Sequence, residues 1–142
     1  MTKVLTKDDV RAELKKKAKK VGSRGDLEHQ HQVRLFKWAK RVVGQYPRIG
    51  LMYAIPNGGY RGGLEGWRLK EEGVKAGMPD IHLPVAVGGY TGLWIEMKTA
   101  VGKLSAAQKE VIGELRECGH RVEVCRGYPE AKAVIDDYYK GE

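Results

Sequence analysis

The stretch from residue 77 to residue 126 limits what this chain can fold into more than any other part of it. Ile81-His82-Leu83, led in by Gly77-Met78-Pro79-Asp80, reads as a short strand, and Gly88-Gly89 turns the chain toward a second, Leu93-Trp94-Ile95-Glu96-Met97-Lys98. Ser105 then caps a helix running to about Cys118 and closed by Gly119, after which Arg121–Arg126 returns as a strand with Val122 and Val124 alternating. Two strands joined by a turn, and another reached through a helix, call for one sheet with helices packed on it.

The flanking segments extend the same pattern. Thr6 with Asp9 three residues on resembles a capping box ahead of a first helix that reaches Lys20. Asp26 is expected to cap a second helix running to about Gln45, with Leu35, Ala39, Val42 and Val43 at helical spacing and Glu28, Gln32 and Leu35 on one face. Leu51, Tyr53 and Ile55 alternate as a strand that stops at Pro56-Asn57-Gly58-Gly59, a helix follows over Leu64–Glu72, and Pro129–Tyr139 forms the last helix. The predicted order is helix, helix, strand, helix, strand, strand, helix, strand, helix. That is an α/β domain with one central mixed sheet flanked by helices.

The 142 residues suit a single domain, divided into a basic helical arm over 1–25 and the domain proper over 26–142. Charge supports that division. Residues 1–24 hold nine Lys or Arg against three Asp or Glu, which is most of the chain's net +8. A polyanionic partner fits such an arm, as does a plain solubilising helix face. No apolar run approaches the roughly 20 residues of a membrane helix, and the charged start lacks a secretory signal, so the protein is expected to be cytoplasmic and away from membranes. Cys118 and Cys125 form no disulfide framework or zinc site and read as reduced interior thiols.

Chemistry enters at the strand 93–98, where alternation puts Ile95 and Met97 on one side and Glu96 and Lys98 on the other. By itself this pattern describes the solvated face of an edge strand. Asp80 changes the reading, because the neighbouring strand of the pair brings its carboxylate close to Glu96. Two converging hard oxygen ligands suit Mg²⁺ or Mn²⁺, and an adjacent Lys98 can hold an attacking water and offset charge on a phosphate.

The order Pro79-Asp80 followed by Glu96-Met97-Lys98 resembles the PD-(D/E)XK nuclease signature, and the surrounding sequence is similar to one branch of it, the VRR-NUC domain. The matching pieces are Glu28, Pro56-Asn57-Gly58-Gly59, Gly77-Met78-Pro79-Asp80, Ile95-Glu96-Met97-Lys98, and Gly102-Lys103-Leu104-Ser105 leading to Gln108. The resemblance implies a single restriction-endonuclease-like domain and a Mg²⁺- or Mn²⁺-dependent endonuclease for DNA, branched or duplex, working as a homodimer. It implies that Asp80, Glu96 and the backbone carbonyl of Met97 bind metal, with Glu28 reaching it through water or holding a second ion. Lys98 would position the water, and Gln108 would orient Lys98 or the phosphate.

No intact Val-Arg-Arg type motif stands near these landmarks, and Lys103 and Arg126 are the comparable basic positions. Nucleic-acid contacts are expected from Asn57, Gly58, Gly59, Arg61 and Lys103, and from Lys15, Lys16 and Lys19 of the arm. The alternative is a nucleic-acid-binding module that keeps the nuclease fold without cleaving. His29 and His31, two apart on a helix, cannot chelate one ion; His82 reads as a satisfied, partly buried histidine and His120 as a turn residue. Trp38, Trp67 and Trp94 read as core or interface.

Overall fold

The structure is a computed structural model that describes residues 6–18, 24–56 and 63–141, without the side chains of residues 14–18 and 24–26. Lys19, Asn57, Gly58, Gly59 and Arg61 lie outside the described residues, as do the side chains of Lys15 and Lys16.

The elements run α1 (Lys7–Ala18), α2 (Arg24–Arg41), β1 (Tyr53–Ala54), α3 (Gly63–Glu71), β2 (Ile81–Leu83), β3 (Leu93–Met97), α4 (Ala106–Glu117), β4 (Arg121–Cys125) and α5 (Tyr128–Tyr139). The predicted order holds. The sheet is ordered β1-β2-β3-β4, with β1 and β2 antiparallel, β2 and β3 antiparallel, and β3 and β4 parallel. The Gly88-Gly89 turn makes the antiparallel pair, and α4 supplies the longer crossover that a parallel pair needs.

Alternation sorts the sheet's two faces. Ile81, Leu83, Leu93, Ile95 and Met97 pack with Leu35 and Trp38 of α2 and with Val134, Ile135 and Tyr138 of α5. Trp94 and Val122 point the other way, onto Ile112 of α4. Each of these fully buried aliphatic side chains stabilises the fold by about 1.5–3 kcal/mol relative to exposure. β3 lies between β2 and β4 and all five of its residues are buried, so it is an interior strand and no edge.

Two boundaries depart from the sequence reading. α2 begins at Arg24, so Asp26 lies inside the helix and does not cap it. The first strand shortens to Tyr53–Ala54 because Arg48, left-handed at φ 60°, starts a 3₁₀ turn over Ile49–Leu51 that buries Ile49.

The first helix carries its predicted cap, with the Asp9 carboxylate accepting from the Thr6 N–H and hydroxyl and Thr6 Oγ1 accepting from the Asp9 N–H. α1 packs against α5. Arg11 Nη2 stands 3.3 Å and Lys7 Nζ 3.8 Å from the Glu130 carboxylate, which is fully buried, and Lys7 also pairs with Glu123 at 3.0 Å. Two cations of the basic arm are therefore held by acids of the same chain. Cys125 is buried, and burial pushes its thiol far up; Cys118 is exposed, because it caps the C-terminus of α4 outside the core. Trp38 and Trp94 are core residues, while Trp67 is 56% exposed on α3. Among the described residues no helix is long and apolar enough to cross a membrane.

Candidate active site

Asp80 is fixed from both sides. Its carbonyl accepts from the Ile55 N–H at 2.7 Å, and its Oδ2 accepts from the Met97 N–H at 2.8 Å, so the residue is bracketed between the end of β1 and the end of β3. The approach depends on Gly77, whose φ of +87° is left-handed and where an added Cβ would stand 2.7 Å from the Ala107 carbonyl oxygen in the first turn of α4. Pro79 behind it is fully buried. The Gly77-Met78-Pro79-Asp80 sequence is thus a close-fitting bend between the sheet and α4.

Gly77→Ala is expected to lower stability by about 1–3 kcal/mol and cleavage by roughly 10- to 100-fold, because it strains the backbone and displaces Asp80. Thermal melting and single-turnover cleavage check this. Gly73→Ala is the comparison, since Gly73 is also left-handed but a Cβ there meets nothing within 4 Å.

Glu96 leaves β3 toward α4 and is only 3% exposed, which rules out a solvated strand face. Ser105 and Gln108 form a full capping box, in which Ser105 Oγ accepts from the Gln108 N–H and Gln108 Oε1 accepts from the Ser105 N–H. With Oε1 so engaged, Gln108 Nε2 donates to Glu96 Oε1 at 3.0 Å. Gln108 therefore orients Glu96, where Lys98 or the phosphate was expected. Lys98 Nζ lies 3.8 Å from the same Glu96 oxygen, and the Lys98 N–H is tied to the Cys125 carbonyl.

Electrostatics follow from this crowding. Burial first, then the Asp80 charge, push the Glu96 carboxyl up to about 8, with Lys98 pulling the other way and Glu28 adding to the rise. Asp80 is raised too, by burial, against the opposing influence of the Met97 N–H and Lys98. Without a cation, one carboxyl of the pair keeps its proton at neutral pH.

Glu96 Oε2 is buried and has no hydrogen-bond partner among the described residues. Such an oxygen beside a second, half-buried carboxylate fits a hard divalent cation. Among the described residues no group of three His, Cys, Asp or Glu side chains stands close enough to hold an ion alone. Asp80 and Glu96 would share such an ion with the Met97 carbonyl and water, as suits Mg²⁺ or Mn²⁺. Glu28, half-buried on α2, lines with Asp80 and Met97 a cleft of about 930 Å³.

The remaining candidates divide. Lys103 is exposed in the segment that joins β3 to α4. Arg126 is a structural staple, since its guanidinium donates to the carbonyls of Thr99 and Gly102 and holds the turn after Lys98. His82 is partnered as expected, with Tyr53 Oη 2.7 Å from its Nδ1 and its ring stacked on Trp94. His31 Nδ1 accepts the Tyr128 N–H at the start of α5, while His29 lines the cleft. The same cleft reaches Lys37 and Lys40, which the sequence reading passed over. Their signal was helical spacing, because Glu28, Gln32, Phe36 and Lys40 recur every four residues and His29, Val33 and Lys37 form the adjoining row.

The VRR-NUC domain model matches residues 27–129 of the chain. A solved structure described as a VRR_NUC domain protein is similar at 32% identity and a TM-score of 0.69, covering 81% of this chain and 89% of that one. No curated protein matches the chain.

Proposed function

The chain belongs to the VRR-NUC domain family, a nuclease-type domain of the PD-(D/E)XK class, and from that premise we propose that it is a metal-dependent endonuclease that hydrolyses DNA phosphodiesters selected by shape. The observation that carries this reading is the pairing of half-buried Asp80 with buried Glu96, one of whose oxygens has no hydrogen-bond partner among the described residues, with Lys98 alongside. Burying two carboxylates together costs stability. A cation and a substrate phosphate supply a reason for it.

Asp80, Glu96 and the Met97 carbonyl would hold Mg²⁺ or Mn²⁺, with Glu28 contributing through water or at a second ion. When bound, the ion acts as a Lewis acid on the phosphoryl oxygens and makes water more acidic. The chain's own residues do the positioning. The Met97 N–H holds one oxygen of Asp80, and Gln108 holds one oxygen of Glu96, so each carboxylate keeps its other oxygen for the site. The Lys98 ammonium, tethered within 3.8 Å of Glu96, can hold a water against phosphorus and offset the negative charge that develops there. In-line attack forms the new P–O bond while the P–O bond to the leaving strand breaks, and the departing oxygen takes a proton.

Lys103 and the arm lysines Lys15, Lys16 and Lys19, together with Asn57, Gly58, Gly59 and Arg61, would grip phosphates without reading sequence. We also propose a cytoplasmic homodimer that presents two sites to two strands; the apolar surface at Leu64 and Trp67 on α3, both exposed, supports self-association.

The test is a panel of labelled linear duplexes, flaps, four-way junctions, gapped duplexes and RNAs, each with Mg²⁺, Mn²⁺, Ca²⁺ or chelator. Mg²⁺ or Mn²⁺ is expected to support cutting of at least one branched DNA in preference to linear duplex, with Ca²⁺ supporting binding and little chemistry. Binding without cutting under every condition would favour the non-catalytic module.

A further inference from the structure

We infer that the cleft between α2 and the β1 end of the sheet seats an unpaired stretch of the substrate strand, which runs from Asp80 along α2 to Lys37 and Lys40. The inference rests on the nuclease reading and adds the path and state of the DNA next to the cut.

The cleft reaches the site at Asp80, Met97 and Glu28, which line one part of it, while Glu96 and Lys98 stand outside its lining. Its walls are apolar where Val33 and Phe36 of α2 face Ile55 and Pro56. Its volume, about 930 Å³, stands at the upper end of the roughly 300–1,000 Å³ typical of ligand clefts, so it has room for a base and more. Phe36 is half-buried against the core and Val33 is 37% exposed, which leaves their outer surfaces to the cleft. A paired duplex turns its base faces inward and offers such a wall only phosphates and groove edges. An unpaired base offers a flat apolar face, and stacking it on an aromatic side chain gives about 1–3 kcal/mol.

Charge points the same way. Lys37 and Lys40 are exposed, and among the described residues neither makes an ion pair. Some cations nearer the core are engaged, Arg126 on carbonyls, Arg121 on Glu123 and Asp137, and Lys132 on Asp136, whereas Lys37 and Lys40 line the cleft itself. At 1.5 Å per residue, Lys37 and Lys40 lie about 14 and 18 Å along α2 from Glu28. That spans about four to five nucleotides at the stacked rise of 3.4 Å, and fewer in an extended strand. The lysines thus meet phosphates of one strand a few nucleotides from the scissile bond, while the apolar wall takes a base between.

The experiment measures equilibrium binding of the Lys37→Ala/Lys40→Ala double variant in an Asp80→Asn background, so that binding is read without cutting. Both lysines are exposed, and thermal melting verifies the fold. For a branched DNA with an unpaired arm, the double variant is expected to bind about 10-fold more weakly, with a salt slope shallower by roughly 1.4. For a blunt linear duplex of equal length, binding should change less than about 2-fold. Methylphosphonates placed four and five nucleotides from the cut should weaken binding to the parent and leave the double variant unaffected. An equal loss on both DNAs, or no loss on either, overturns the inference. Cleavage by the wild-type chain, scored on the same branched DNA, reports separately on the nuclease reading.

Discussion

Lys98→Ala protein is expected to cut a branched DNA at least about 100-fold more slowly than wild type while binding it within about 10-fold, the lower end of what one positioned catalytic group supplies. The asymmetry follows from where the side chain sits. Lys98 is half-buried with its ammonium directed at Glu96, so it faces reacting atoms and not the extended surface where most phosphate contacts form. Affinity comes from many dispersed cations, and losing one of them changes it little. Catalysis has no such redundancy. Lys98→Arg is expected to restore only part of the rate, because a planar, delocalised guanidinium does not place its donors as a compact ammonium does. Single-turnover rates and binding on one substrate separate the two effects.

Glu96→Gln should abolish cutting and yet make the metal-free protein more stable. The substitution keeps an acceptor for Gln108 Nε2, removes the charge that burial and Asp80 disfavour, and adds an amide that can donate toward Asp80. A gain of about 1–3 kcal/mol is expected in chelator near pH 8, the usual range for relieving one buried, unsatisfied group.

The pH dependence carries a definite sign. Folded Glu96 holds its proton up to about 8, whereas the unfolded chain releases it near 4.5. The folded state therefore binds more protons between those values, and its stability, present in full below about 4.5, is lost progressively as pH rises toward 8. Asp80 is shifted in the same direction and adds to the trend. Melting in chelator at pH 5 and pH 8 should show wild type losing more stability than Glu96→Gln protein. Mg²⁺ should reverse the ranking, because a ligand that binds the folded state stabilises only the protein that still holds it. Parallel curves for the two proteins would mean that Glu96 is not the strained group.

Most of the scaffold was legible in the sequence because local signals and packing agree there. The cap at Ser105, the Gly88-Gly89 turn and the alternation of Ile95 and Met97 against Glu96 each describe what the residue does in the fold. Where tertiary contacts decide, local reading fell short. Asp26 has the chemistry of a cap but lies two residues inside a helix that starts earlier. Arg126 has the charge of a phosphate ligand but is held by carbonyls that only the folded turn brings to it. The partner of Gln108 was not legible, since only the folded turn, in which the Ser105 N–H holds Gln108 Oε1, leaves its Nε2 facing Glu96. Glu130 and its cations Lys7 and Arg11 are well over a hundred residues apart and gave no local signal. They show why the arm's net charge overstates what it can offer to DNA.

The most direct test of the central claim is single-turnover hydrolysis of one labelled branched DNA by wild-type and Asp80→Asn proteins, both verified as folded, in Mg²⁺ and in excess chelator. Wild type is expected to cut in Mg²⁺ and not in chelator, and Asp80→Asn to cut under neither condition. Undiminished cutting by folded Asp80→Asn protein, or by wild type in chelator, would mean that Asp80 and its metal are not the catalytic centre.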